Sequence, residues 1–307
     1  MFSGLAHLLA FIFVLVTVTS ETCAMNINDR LHLMTTLVSA DGAAYSAQGS
    51  GFFYQQLGPP TKPGSPWHMI RQVWLVTNRH VVLPRINNAE VVPEQFTFNL
   101  RREEKGKLLW EPVILTSSEL RKRTKLHPDP NVDVAVIEIL DLLESKLDEK
   151  KNILQWYGVS EDDFAGQNKI EVEASDDIVV IGYPRSFYDE HNLFPIVKAG
   201  IIASRWGANF AGKPFFLIDA KLFPGSSGSI VLSKPRDFVM HRGQLLRSKE
   251  KQFAFLGIFS GEPFQQDRPI NLENMIIIQK FGYDVGIVWY ANLIPEIIKN
   301  GTAIDTK

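Results

Sequence analysis

Three observations predict an all-β fold for this 307-residue chain. Short runs rich in Val, Ile, Phe, Trp and Thr recur from Leu31 to Trp289, and such residues suit a pleated, half-buried surface. Gly, Pro, Asn and Asp interrupt these runs at short spacing, as turns between strands require. Helical spacing of apolar residues is confined to Leu140–Trp156 and Leu293–Lys299, too little for a strand–helix alternation. Many short strands joined by turns mean a sandwich or barrels.

Taken in order, Leu31–Val38 and Ala47–Tyr54 are the first predicted strands. Leu57–Pro66 reads as a loop because its prolines cannot donate to a ladder. Val73–Thr77 is a strand that runs straight into Asn78, Arg79 and His80. Strands follow at Gln95–Leu100, Trp110–Leu115 and Val132–Ile139, the last opening at Asp133. Leu140, Leu143 and Leu147 predict one or two short helices, and Glu161–Asp163 reads as a solvated acidic loop. Further strands are expected at Ile178–Ile181, Ile196–Ile202, Phe215–Ile218, Ser229–Leu232, Phe253–Phe259 and Val285–Trp289, before a closing helix at Leu293–Lys299. The basic segment Lys234–Lys251 reads as an exposed hairpin loop.

Composition is that of an ordinary folded protein, 45% hydrophobic and 21% charged. A net charge of −2 gives no argument for nucleic acid or for an anionic membrane as partner. Residues 1–24 differ: the apolar run Leu9–Val16 is too short to span a bilayer and leads to Thr22-Cys23-Ala24, small residues that suit signal-peptidase cleavage. A cleaved secretory signal is expected, with no stable membrane insertion afterwards; the absence of Lys or Arg before the run keeps an uncleaved anchor as the alternative. Cleavage after Ala24 would remove Cys23, the only cysteine, and an exported chain without disulfides points to a bacterial periplasm or secretion.

The chemistry is carried by Phe223-Pro224-Gly225-Ser226-Ser227-Gly228-Ser229-Ile230. A serine that attacks carbonyls needs a tight turn free of side chains, so that backbone N–H groups can converge on an oxyanion, and Gly225 and Gly228 flank Ser227 in that way. Such an octet alone is equally a turn before a strand. His80 and Asp133 supply what the turn lacks, an imidazole to take the hydroxyl proton and a carboxylate to orient the imidazole. Each of the three has an ordinary explanation alone; together, at three strand ends, they point to nucleophilic catalysis.

Trp74-Leu75-Val76-Thr77-Asn78-Arg79-His80, Asp133-Val134-Ala135-Val136-Ile137 and Asp219 to Ser229 resemble the histidine, aspartate and serine motifs of trypsin-like peptidases in their bacterial Deg/HtrA form. Gly49-Ser50-Gly51-Phe52, Asp176 to Pro184 and Ala199 to Ser204 match as well, and the resemblance covers most of residues 45–295. It implies two six-stranded antiparallel barrels, approximately residues 25–165 and 166–307, with the site in the cleft between them. It implies Ser227 as nucleophile, His80 as general base and then acid, Asp133 as orienting carboxylate, and the N–H groups of Gly225 and Ser227 as oxyanion hole. A serine endopeptidase working through an acyl-enzyme on protein or peptide substrates follows, with no cofactor and no metal. Lys221 falls near the primary specificity pocket, where it favours an acidic P1 side chain if it faces inward and leaves an apolar pocket if it faces out. Phe259, Ser260 and Gly261 are expected to form a pocket wall and a β-edge for substrate backbone, and Glu262–Phe281 a long loop that covers the cleft. The resemblance is to the protease domain only, with no C-terminal peptide-binding domain expected. Ser226 stands where trypsin has the aspartate that pairs with a new N-terminus, so that activation route is excluded. A catalytically silent scaffold with the same fold is the alternative. An α/β-hydrolase is disfavoured, because its nucleophile precedes its acid and histidine.

Overall fold

The computed structural model describes residues 26–62, 68–146, 153–168, 170–184, 187–242, 244–266, 270–272, 275–277 and 280–304; the expected signal at 1–24 lies outside them. Alternation along the strands builds the first half. In Gln95–Glu104, Phe96, Phe98 and Leu100 share one face and are at most 1% exposed. They meet Val38, Ala40, Leu75 and Ile137 in one apolar core. The antiparallel ladder runs in the order Ile153–Gln155, Gln95–Glu104, Thr35–Gly42, Tyr45–Pro60, His68–Thr77, Ala135–Glu138, Thr124–Leu126 and Thr302–Ala303, with Lys107–Thr116 pairing on Gln95–Glu104. Thr302–Ala303 thus brings the last described residues back onto the first half.

The second half is a closed six-stranded barrel of Asp177–Gly182, Ile196–Ile202, Phe215–Asp219, Gly286–Tyr290, Phe255–Gly261 and Ile230–Ser233. The run Ile178–Ile181 is apolar at every position because its two faces look into different cores. Ile178 and Val180 fill the barrel, whereas Val179 and Ile181 meet Phe52, Tyr54 and Trp74 of the first half. Phe255 and Ile258 likewise face the shared core, and Leu256 and Phe259 the barrel. The all-β class therefore holds. Closure is complete in the second half; in the first, the ladder is a nine-stranded sheet whose ends do not pair with each other among the described residues.

Several local expectations are corrected. Leu31 and Leu33 belong to a helix, Ile27–Leu33, not to a strand: the Asn26 side chain accepts from the Asp29 N–H, and the strand begins only at Thr35. The strand Tyr45–Pro60 continues through Pro59 and Pro60, where the register with His68–Thr77 shifts and their missing N–H groups cost the ladder little. The helix after Leu140 ends at Ser145, and Ile153–Gln155 pairs as a strand. The strand expected from Val132 starts at Ala135, which leaves Asp133 in the preceding loop. Glu161–Asp163 is a single 3₁₀ turn whose Asp163 carboxylate accepts from the Ser160 N–H at 2.8 Å. A helix at Ser117–Arg123 was not expected, although Thr116 and Glu119 form the capping box that announces it.

Arg101 ties the halves together from within. Its guanidinium is 1% exposed and donates to Leu193 O at 2.9 Å, to Thr35 O at 3.1 Å and to the Tyr183 hydroxyl. The Trp110 ring lies 5.2 Å from its centre. Burial holds the guanidinium below its ordinary pKa and pushes the Tyr183 phenol up to about 12. Arg101→Ala would strand two buried carbonyls and leave a cavity, so a loss of roughly 3 kcal/mol or more is expected in denaturant unfolding. Arg101→Lys, which keeps the charge but not the planar fork, should lose less.

Candidate active site

His80 is carried by the one-turn helix Arg79–Val82 at the end of the strand His68–Thr77, with Val81 and Val82 buried beneath it. The Asn78 side-chain amide donates to the Asp133 carbonyl at 2.7 Å and draws the loop before Ala135 against this turn. Both Asp133 oxygens then face the histidine: Oδ1 accepts from the His80 N–H at 2.9 Å and Oδ2 pairs with Nδ1 at 2.7 Å. A carboxylate can only accept, so Nδ1 carries a proton and Nε2 is left as the basic nitrogen of neutral His80.

The serine turn is set by its prolines and glycines. Ser226 N–H donates to Phe223 O at 3.0 Å, with Pro224 next and Gly225 at φ +88°, the pattern of a type II turn. Gly228 has φ +82°, and a Cβ there would lie 2.0 Å from the Ser50 carbonyl oxygen and 2.5 Å from Thr77 Oγ1. That close approach lets the turn sit on the first half. Ser50, fully buried, makes the seam: its N–H donates to Ser227 O at 2.8 Å, and its hydroxyl donates to Gly225 O at 3.2 Å while accepting from Tyr183 N–H at 2.8 Å. Thr77 Oγ1 donates to the Ser50 carbonyl at 2.7 Å, which links the seam to the strand that ends at His80.

Ser260 bridges the two sides. Its hydroxyl donates to Asp133 Oδ2 at 2.5 Å, and its carbonyl accepts from the Ser227 hydroxyl at 2.9 Å. A hydroxyl has one proton, so in this state Ser227 does not donate to His80. The residues expected at the pocket separate by alternation. Ala220, Leu222 and Phe259 turn into the barrel core, and Phe259 is only 3% exposed. Lys221 and Phe223 are exposed, with the Lys198 ammonium 4.8 Å from the Phe223 ring. Lys221 has no ion pair among the described residues. In place of one loop, Phe264–Gln266 pairs with Lys280–Gly282 and Ile270–Leu272 with Met275–Ile277. Sequence reasoning missed Ser50, Asn78 and the second role of Ser260. Gly49-Ser50-Gly51 was a visible signal for the first; nothing in the sequence distinguishes the others.

The family described as the trypsin-like peptidase domain matches residues 49–239, well over half of the chain. No curated protein matches it. Among solved structures, the active form of the Rv3671c protease from M. tuberculosis is 15% identical, with TM-score 0.42, over 90% of this chain and 83% of that one. A serine endoprotease from Yersinia pestis is 17% identical, with TM-score 0.41, over 89% of this chain and 65% of that one. The tobacco etch virus protease in complex with product is 10% identical, with TM-score 0.44, over 91% and 83%.

The two glycines of the turn differ in what they tolerate. Gly225→Ala retains the fold but strains a positive φ, at a cost of about 1–2 kcal/mol in thermal melting. Gly228→Ala drives a Cβ into the Ser50 carbonyl and is expected to prevent formation of the native seam altogether, read as loss of the cooperative melt.

Proposed function

The chain belongs to the trypsin-like peptidase domain family, and from that premise we propose that it is an exported serine endopeptidase acting on protein or peptide substrates through His80, Asp133 and Ser227. The observation that carries this reading is the pair of bonds from Asp133 to the His80 ring and backbone, with Ser227 held two contacts away through Ser260.

Attack begins when the Ser227 hydroxyl leaves the Ser260 carbonyl by rotation about its Cα–Cβ bond and presents its proton to His80 Nε2. As Oγ bonds to the scissile carbonyl carbon, the proton passes to Nε2, and Asp133 stabilises the imidazolium without taking the proton. The carbonyl electrons move onto oxygen, facing the N–H groups of Gly225 and Ser227. His80 then returns the proton to the leaving amine as the C–N bond breaks, which leaves an ester on Ser227. Water, deprotonated by His80, attacks that ester and restores the serine. Gly261 offers open space where a Cβ would point, room for an extended substrate to lie along Ser260 and Gly261. Export rests on residues 1–24 alone.

The resting bond from Ser227 to Ser260 favours a second reading, a scaffold in which the nucleophile stays withdrawn. A serine-directed fluorophosphonate separates the two. Wild type is expected to label and Ser227→Ala not to; a folded wild type that stays unlabelled and leaves denatured proteins uncut would establish the scaffold. His80→Ala is expected to slow labelling by about 10³-fold or more. Ser260→Ala removes one bond to a carboxylate and should lower peptidase kcat/KM roughly tenfold or more, with the fold unchanged by circular dichroism.

A further inference from the structure

The hairpin Arg236–His241/Gln244–Gln252 takes no part in the site, yet it holds a concentration of exposed apolar side chains. Phe238, Met240, Leu245 and Leu246 are 48%, 45%, 65% and 38% exposed within nine residues. The strands form a separate two-stranded sheet that belongs to neither half. Its root is fixed. Val239 packs on the barrel core, the Glu171 N–H donates to Met240 O at 3.3 Å, and Lys234 and Arg236 lie 3.3 and 3.5 Å from Asp177. The outward side is different in charge as well as exposure. From Phe238 to Lys249 there is no acidic residue, while Arg242 and Arg247 are exposed, Arg247 stacked 5.7 Å over Phe238. Asp237 and Glu250 flank this segment, and Glu171 accepts from the Arg242 backbone N–H.

We infer that this hairpin is an interfacial anchor that docks the protein on an anionic lipid surface. Phe238 pairs with Arg247 and Met240 with Leu245, so these four side chains share the face turned away from Val239 and the barrel. Self-association by a two-fold contact would set this basic patch against its own copy, a like-charge arrangement that disfavours it. Exposed cations among apolar side chains instead match anionic headgroups above hydrocarbon. The charge of −2 over the whole chain conceals this local basic patch. Among the described residues no helix is long and apolar enough to cross a membrane, so the contact is peripheral in character.

A reporter on the hairpin reads its insertion regardless of what residues 1–24 do. The exposed Gln244 is replaced by Cys in a Cys23→Ser background, Cys23 being the only native cysteine, and labelled with an environment-sensitive fluorophore. With phosphatidylglycerol vesicles the full-length protein is expected to show about threefold brighter, blue-shifted emission that brominated lipids quench, and little change with phosphatidylcholine vesicles. Arg242→Gln with Arg247→Gln should weaken the apparent partitioning roughly tenfold or more. Phe238→Ser with Leu245→Ser should abolish the shift while circular dichroism stays unchanged. No shift with anionic vesicles, or an equal shift with phosphatidylcholine, would overturn the proposal. So would a lipid-free shift that grows with protein concentration, because it would make a second copy the occupant.

Discussion

Ser50 is the residue on which the arrangement of this protein depends. One buried serine uses its N–H, its hydroxyl twice and its carbonyl to join the strand Tyr45–Pro60 to the Ser227 turn, to Tyr183 and to Thr77. Four hydrogen bonds from a single side chain and its peptide groups fix the distance between the turn that holds the serine and the strand that ends at His80. Buried polar groups carry a penalty if they lose a partner, so the seam has few alternatives and a single register. Gly228 makes it possible, because only a residue without Cβ lets the Ser50 carbonyl come so close.

The consequence is a candidate site assembled from two halves that share a core. Asp133 and His80 lie just outside the paired ends of adjacent strands of the first half, held by Asn78. Ser227 comes from the second, and Ser260, on the next strand of that barrel, reaches across to Asp133 while keeping the Ser227 hydroxyl. The Ser227 hydroxyl therefore rests against a carbonyl of its own half.

The β-class and the strand positions around the site were legible, because period-two burial and apolar runs leave marks in the sequence. Ile178–Ile181 is the clearest case: an unbroken apolar run means two buried faces, and it has them. The serine turn was legible for the same kind of reason, since Pro224, Gly225 and Gly228 each satisfy a backbone demand. What could not be read was what depends on partners distant in sequence. Ser260 looks like any strand-end serine until Asp133, 127 residues away, is beside it. The helix Ile27–Leu33 was misread because Leu31 and Leu33 suit a strand equally well, and a cap by Asn26 decided it. The extension of Tyr45–Pro60 was missed because a register shift, invisible in one strand's sequence, accommodates the prolines. The hairpin at Arg236–Gln252 was visible as a basic loop; its unburied apolar side chains were not, since Phe238 or Leu245 in a sequence reads as core.

The Arg101 joint has one more consequence. Interfaces closed by carboxylate–cation pairs loosen in acid, as each carboxylate takes up a proton and its contribution disappears. Arg101 joins the halves through the Leu193 carbonyl, which does not titrate, and through a phenol raised to about 12, while the Thr35 carbonyl holds it on its own side. No group in that cluster changes charge between neutral pH and strong acid, so its contribution has no proton linkage over that span. A compartment whose acidity fluctuates would leave this part of the architecture untouched.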